Sequence, residues 1–194
     1  MKKLMSSFIV LFLTLTISVS ANAAQGDLFA QVSFRDLDPE ACSIMNVTPA
    51  GVISQFISNA QILALTGNDS AECSDSGLAI GLDGTVFFYE QNSQNIFMAT
   101  NPGGVLSVFV TEADIEAATG LTSPRIQNGM AISPVDGNLY VADDNNGSIL
   151  RINVGGPLNG HATQIITEAE FEALVPGAEI SLEGGIDLDC LGNI

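Results

Sequence analysis

The chain repeats itself, and this limits its fold more than any other feature. The segment at 51–67, GVISQFISNAQILALTG, returns at 104–120 as GVLSVFVTEADIEAATG and more loosely at 161–177 as HATQIITEAEFEALVPG. Each copy leads into a second block. These blocks are SGLAIGLDGTVFFYEQNSQNIFMA at 76–99, NGMAISPVDGNLYVADDNNGSILRI at 128–152 and GGIDLDCLGNI at 184–194. Gly77 and Gly129 lie 52 residues apart, and Gly129 and Gly185 lie 56 apart. Self-similarity at such a period marks a fold built from stacked copies of one supersecondary unit.

Each unit resolves into strands. Gly-Leu-Ala-Ile and Gly-Met-Ala-Ile are short apolar runs, as expected of a strand buried on both faces. Asp83-Gly84 and Asp136-Gly137 are tight-turn dipeptides. Val86–Tyr89 and Leu139–Ala142 supply a second strand rich in aromatic and branched side chains. A polar loop follows, then a third strand centred on Ile96 or on Ile149–Ile152. The turns at Asn101–Gly104 and Gly155–Pro157 lead to a fourth strand, as at Val52–Ile57 and Val105–Val110. Four short antiparallel strands in roughly 53 residues make one blade of a β-propeller.

The crossings between blades carry a second signal. Ser58 with Gln61, Thr111 with Asp114 and Thr167 with Glu170 place a hydroxyl three residues before an acidic or amide side chain. That is a capping box, which satisfies the free N–H groups at a helix start. Apolar pairs at Ile62/Leu65, Ile115/Ala118 and Phe171/Leu174 follow, and Gly67, Gly120 and Gly177 are placed to end the helices. The fold class expected is therefore all-β: propeller blades of four antiparallel strands with a short helix in each crossing.

The N-terminal part fits the same frame. Cys42–Gly51 aligns with Gln94–Gly103, so Ile44 takes the place of Ile96; Asp27–Ala30 resembles a second strand, and Arg35–Glu40 is an insertion. The repeats lie near 24–50, 51–103, 104–160 and 161–194. About three units cannot close a ring of the usual four to eight blades. The sequence is expected to be a portion of a longer, six-bladed protein or a half-ring that pairs with a copy of itself.

The first residues are an address. Lys2 and Lys3, the apolar run Phe8–Val19 and the small residues of Ala21-Asn22-Ala23 form a secretory signal peptide over 1–23, with the partial propeller at 24–194. Sec-dependent export to a bacterial periplasm or exterior is expected, with no membrane span after the leader is removed. The formal charge is −17, and loss of Lys2 and Lys3 takes it to −19 with no lysine left. Such a chain cannot neutralise phosphates, which excludes nucleic acid and anionic membranes as partners. A protein or small-molecule ligand remains, together with self-association if the chain is complete.

At YVADDNNGSILRI (140–152) the sequence resembles the NHL-repeat propellers, whose units read Y-V-A-D, a polar loop and then R-I. In the preceding unit Tyr89-Glu90 replaces Ala-Asp. Gln127–Leu139 also resembles the senescence-marker/gluconolactonase family of six-bladed propellers. That resemblance implies a channel-lining, metal-binding Asn before the first-strand glycine, which Asn128 matches. It also implies a catalytic, metal-binding Asp in a later blade, where this chain has Gly184; the equivalent in the first full repeat is Ser76.

Other candidate sites come from residue chemistry. Asp143, Asp144, Asn145 and Asn146 cluster oxygen ligands of the kind a hard cation such as calcium takes. The same residues also suit a loop that caps its own backbone. Asp187 and Asp189 flank Leu188 and would point to one face of a first strand, toward a channel or a blade interface. His161, the sole histidine, sits in a loop with no Ser or Cys nucleophile in a recognisable motif nearby. Cys42 and Cys73 fall in loops on one face, so a disulfide between them is expected, and Cys190 lies in a turn on the other face. The function expected is an exported binding or scaffold module with no evident catalytic constellation, its partner on the face of helices and crossings. The alternatives are a metal-dependent hydrolase or lactonase of the gluconolactonase type and a structural envelope module.

Overall fold

The computed structural model describes residues 26–34, 41–73, 77–101, 104–177 and 180–194. Residues 1–23, where a signal peptide is expected, residues 35–40 and Ser76 lie outside the described residues. Among the described residues the strands form three antiparallel sheets, each a meander in which sequence neighbours pair. The first contains β1 (Leu28–Phe34), β2 (Ala41–Val47) and β3 (Ile53–Ile57). The second contains β4 (Leu78–Ile80), β5 (Val86–Glu90), β6 (Asn95–Thr100) and β7 (Val105–Val110). The third contains β8 (Ile126–Ile132), β9 (Leu139–Asp143), β10 (Ser148–Ile152) and β11 (Ala162–Ile166). Helices α1 (Asn59–Thr66), α2 (Glu112–Thr119) and α3 (Glu168–Leu174) follow the last strand of each sheet.

The sheets stack face to face, and β5 shows why its sequence does not alternate. All five of its residues are buried. Val86 and Phe88 enter a core shared with Phe29, Ile44, Phe56 and Ile57 of the first sheet. Phe87 and Tyr89 enter a second core with Met130, Leu139, Val141 and Leu150 of the third. A strand with a core on each side gains from apolar residues at every position. The inner strands are packed by glycine: a Cβ on Gly77, just before β4, would overlap Met130 on β8.

The repeat extends to irregularities. The next-to-last strand of each sheet shifts register against the last at one equivalent place, after Ile44, Ile96 and Ile149. These are β-propeller blades. Among the described residues the ring is incomplete, with three strands in the first blade and four in each of the next two. None of the helices among the described residues is long and apolar enough to cross a membrane.

The helices start as their capping boxes require. Ser58, Thr111 and Thr167 each accept from the backbone N–H three residues on, and the side chains of Gln61, Asp114 and Glu170 reach back. Gly67 and Gly120 close α1 and α2 in the left-handed conformation, with φ of 70° and 76°. Gly177 does not do this for α3, which ends earlier, at Leu174, with Val175 as its cap. Residues 184–189 also depart from expectation. They follow the third blade with a bend at Gly184 and without forming a strand. A strand exists through its ladder, and no second strand among the described residues lies beside this segment to supply one.

Candidate functional site

Two places concentrate polar chemistry: the ends of the second strands, and the inner edge where β8 meets residue 184. At the first, the end of β5 carries Glu90 and the end of β9 carries Asp143, both with no exposed surface. Glu90 accepts from the backbone N–H groups of Glu72 at 2.8 Å, Asn92 at 3.0 Å and Ser93 at 2.8 Å. Asp143 accepts from the N–H of Arg125 at 2.9 Å and from Asn146 Nδ2 at 2.7 Å. The residue after each carboxylate closes the link from the other side. Gln91 N donates to the Glu72 carbonyl, and Asp144 N donates to the Arg125 carbonyl, both at 2.9 Å.

The arrangement is a clamp. In the second and third blades a buried carboxylate ties the end of the second strand to the crossing segment that delivers the first strand. Asn145 and Asn146 add bonds from Nδ2 to the Thr122 carbonyl, and Asn145 also reaches that of Ser123. A buried carboxylate is tolerable only when it is hydrogen-bonded in this way. Burial still pushes the Asp143 carboxyl above its ordinary range, against the lowering effect of its bonds to Arg125 and Asn146. Glu90, which departs from the Ala-Asp pattern in sequence, does the same work as Asp143 with a longer side chain.

The remaining acidic candidates are engaged in separate places. Asp144 Oδ1 accepts from Leu182 N at 3.0 Å and from Ser181 Oγ at 3.2 Å, anchoring the segment after α3. Asp187 is exposed and accepts from the N–H of its neighbour Leu188 at 2.8 Å. Asp189 lies in a turn rather than on a strand, and accepts from Leu191 N at 2.8 Å, Asn193 N at 2.9 Å and Asn193 Nδ2 at 2.8 Å. Its bonds to Asn193 hold its carboxyl below the usual range. Asp83 and Asp136 make the same kind of turn, accepting from Thr85 N at 2.9 Å and Asn138 N at 3.1 Å. Among the described residues no three His, Cys, Asp or Glu side chains gather where they could hold a metal ion. Asp143, Asp144, Asp187 and Asp189 are each engaged with separate donors and do not converge on one cation site.

At the inner edge, β8 pairs Ile126 with Asp143 and next Met130 with Val141, so Gln127, Asn128 and Gly129 bulge where β9 offers Ala142 alone. Bulges of this kind are frequent beside active sites. Gly129 lies against Ala142, and a Cβ there would be 3.4 Å from the Gly184 carbonyl oxygen. Asn128 and residue 184 are thus brought to one inner edge. Gln127 is buried, and with its amide oxygen toward Arg125 it accepts from Nη2 at 2.6 Å and Nε at 3.1 Å. His161 is exposed, in the hairpin between β10 and β11. Cys42, at the start of β2, is bonded to Cys73 in the crossing to the second blade, with their Cα atoms 5.4 Å apart. Cys190 is a free, exposed thiol.

No protein-family model matches the chain, and a comparison with curated proteins finds no match. Among solved structures it is similar to regucalcin from Agrobacterium tumefaciens, described as a calcium-binding protein. Identity there is 17% over 72% of this chain and 41% of that one, with a TM-score of 0.49. A structure assigned as a gluconolactonase is similar at 12% identity over 76% of this chain and 46% of that one, TM-score 0.49. A luciferin-regenerating enzyme is similar at 16% identity over 72% and 43%, TM-score 0.48. The chain spans less than half the length of each of these three proteins.

Proposed function

We propose that the chain is part of an exported β-propeller that works as a binding module, and that its ligand or partner engages the face formed by the strand-to-strand turns. The observation supporting this is an apolar cleft of about 380 Å³ between the second and third blades, lined by Leu82, Phe87, Met98, Phe109, Val154 and Asn159 among others. Beside it, three successive units expose a large apolar side chain in the same turn: Leu82 at 74%, Val135 at 64% and Leu191 at 75%. The turns adjoin, since a Cβ on Gly192 would lie 3.2 Å from Val135 Cγ2. A concave apolar site with an exposed apolar rim is the usual form of a recognition surface. These features support a partner on the turn face rather than on the face of helices and crossings.

The test is titration of the mature chain with an uncharged apolar fluorophore, beside Leu82→Asp and Val154→Asp. The reading expects saturable binding that both variants weaken at least about tenfold while circular dichroism stays unchanged. Equal binding by all three proteins would refute it.

A second reading, a metal-dependent lactonase of the gluconolactonase type, is favoured by the bulge at Asn128 and the approach of Gly129 to Gly184. Calcium calorimetry and gluconolactone hydrolysis, each with the Asn128→Ala variant alongside, distinguish it. Heat and turnover lost together in the variant would support it, and their absence in the wild type would remove it.

A further inference from the structure

One aromatic pair recurs in the first two blades and is fully covered in only one of them. By the register of the repeat, Phe29 with Phe56 in the first blade corresponds to Phe87 with Phe109 in the second. Phe56 and Phe109 are the extra residues at the register shifts of β3 and β7, and each bulge turns a ring onto the second-strand phenylalanine of its own sheet. The ring centroids lie 4.9 Å and 5.0 Å apart, edge to face in both. Phe29 and Phe56 are both buried, whereas Phe109 is half-buried and lines, with Phe87, the cleft between the second and third blades.

The connection packed against each pair explains the difference. A Cβ on Gly104, in the link from β6 to β7, would lie 3.0 Å from the Phe56 carbonyl oxygen. A Cβ on Gly160, in the link from β10 to β11, would lie 3.2 Å from that of Phe109. The first link has four residues, 101–104, and the second has nine, 153–161. The longer link brings Val154 and Asn159 up as a separate wall of the cleft. Extra residues in one unit of a repeat protein map to loops on one face, often the binding face.

The cleft continues past Phe109 and Asn159 into a second recess of about 370 Å³, lined also by Asp114, Pro157 and His161. The two form one groove. Its floor of Phe87, Met98 and Phe109 comes from β5, β6 and β7. Two strand spacings are about 10 Å, the reach of about three extended residues. A carboxylate stands in each half: Asp83 in the turn before β5 and Asp114 in the first turn of α2. Both are exposed. Asp83 accepts from Thr85 N at 2.9 Å and Thr85 Oγ1 at 3.0 Å, and the bonds from Thr111 to Asp114 fall on Oδ2. A carboxylate has about four acceptor sites, so each has room for an ammonium or guanidinium. The basic side chains among the described residues are Arg125 and Arg151, and neither lines the groove. The formal charge of −17 adds a long-range attraction for cations.

We infer that the groove takes an extended polypeptide segment of about five residues, apolar in its middle and carrying Lys or Arg at both ends. This rests on the turn-face reading of the same cleft and adds the class of partner. Two separated carboxylates call for two cations on one ligand, which favours a polypeptide over an amphiphile with one head. Gly137 and Gly155 keep the wall open, since a Cβ on either would meet nothing within 4 Å, and a second backbone can approach there. Outside the cleft, Val135 and Asp136 repeat the exposed apolar-acidic pairing of Leu82 and Asp83, so the surface continues beyond the reach of a small ligand.

The experiment is isothermal titration calorimetry of the mature chain with N-acetylated, C-amidated pentapeptides. Lys-Leu-Phe-Leu-Lys is expected to bind saturably and Glu-Leu-Phe-Leu-Glu to give no binding heat. Asp83→Asn with Asp114→Asn leaves an amide oxygen to accept in the turn and the cap, and is expected to weaken binding about tenfold with circular dichroism unchanged. Added salt is expected to weaken the wild type more than this double variant. Octylamine, with one cation, is expected to bind at least about tenfold more weakly than the lysine peptide. Equal binding of the two peptides, an undiminished double variant, or octylamine as tight as the peptide would overturn the inference. Binding of the uncharged fluorophore with neither peptide bound would overturn it and leave the turn-face reading standing; loss of both kinds of binding would remove the two together.

Discussion

Gly129→Ala is the most exacting test of how the inner strands pack. A Cβ at this position would sit 2.6 Å from Ala142 Cβ and 3.3 Å from the Ala142 backbone nitrogen. Carbon atoms rest at about 3.5–4.0 Å, so an approach of this kind has to open by about 1 Å. No side chain can rotate to provide that. Ala142 has a single side-chain carbon, is 4% exposed and belongs to β9, which is hydrogen-bonded to β8 on one side and β10 on the other. The strands themselves must part. Over-packing costs about 1–3 kcal/mol, and a site with only backbone-fixed neighbours belongs at the upper end, about 3 kcal/mol. For a domain of this size that is a fall in Tm of about 6–12 °C. The control is Gly184→Ala, where a Cβ would meet nothing within 4 Å. Thermal melts followed by circular dichroism should separate the two variants clearly. A Gly129→Ala melt as high as that of Gly184→Ala would show that β8 does not approach β9 in the way described.

Two further outcomes follow from the clamp and the disulfide. Cys42–Cys73 closes a loop with a sequence separation of 31. Replacing both cysteines with serine should cost about 3–4 kcal/mol by the chain-entropy estimate, read as a lower urea midpoint; an unchanged midpoint would contradict it. Burial raises the Asp143 carboxyl above its unfolded value of about 3.9. The folded state therefore holds that proton more tightly, so this carboxyl's contribution to stability is present below the unfolded value and is lost as pH rises through the folded one. Stability measured against Asp143→Asn should shift toward the wild type as pH falls from 7 to about 4. A flat or opposite difference would show that Asp143 is not desolvated as described.

The blades were legible because their signals are local and repeated. The Gly-x-Ala-Ile strands, the Asp-Gly turns and the hydroxyl-x-x-acid caps each act within a few residues, and each occurs more than once. The roles of the acidic residues were not legible in the same way. Asp143 and Asp144 read as an oxygen cluster because they are adjacent in sequence, yet one carboxylate turns to Arg125 and the other to Leu182. Only the fold decides which backbone N–H groups come within reach. Glu90 looked like a departure from its repeat, and its equivalence to Asp143 rests on the Glu72 N–H, 18 residues away in sequence. A signal was available in retrospect: an acid ends the second strand in both complete blades. The segment 184–189 reads as a strand by pattern alone, and pattern does not supply the neighbour that a ladder requires. Gly177 failed as a helix stop because α3 ends before reaching it.

Nuclear Overhauser contacts across strands test the central claim, that one four-strand unit recurs along the chain and each copy forms its own sheet. The account predicts contacts for Leu78 with Phe88 and for Met130 with Val141, the same inner pair in two successive blades. It also predicts Met98 with Ser107 and Arg151 with Thr163 at the outer pair. No contact should join the backbone of β7 or β11 to another sheet as a hydrogen-bonded neighbour. Cross-strand contacts running from β7 into β8, making one continuous sheet of the second and third units, would contradict it.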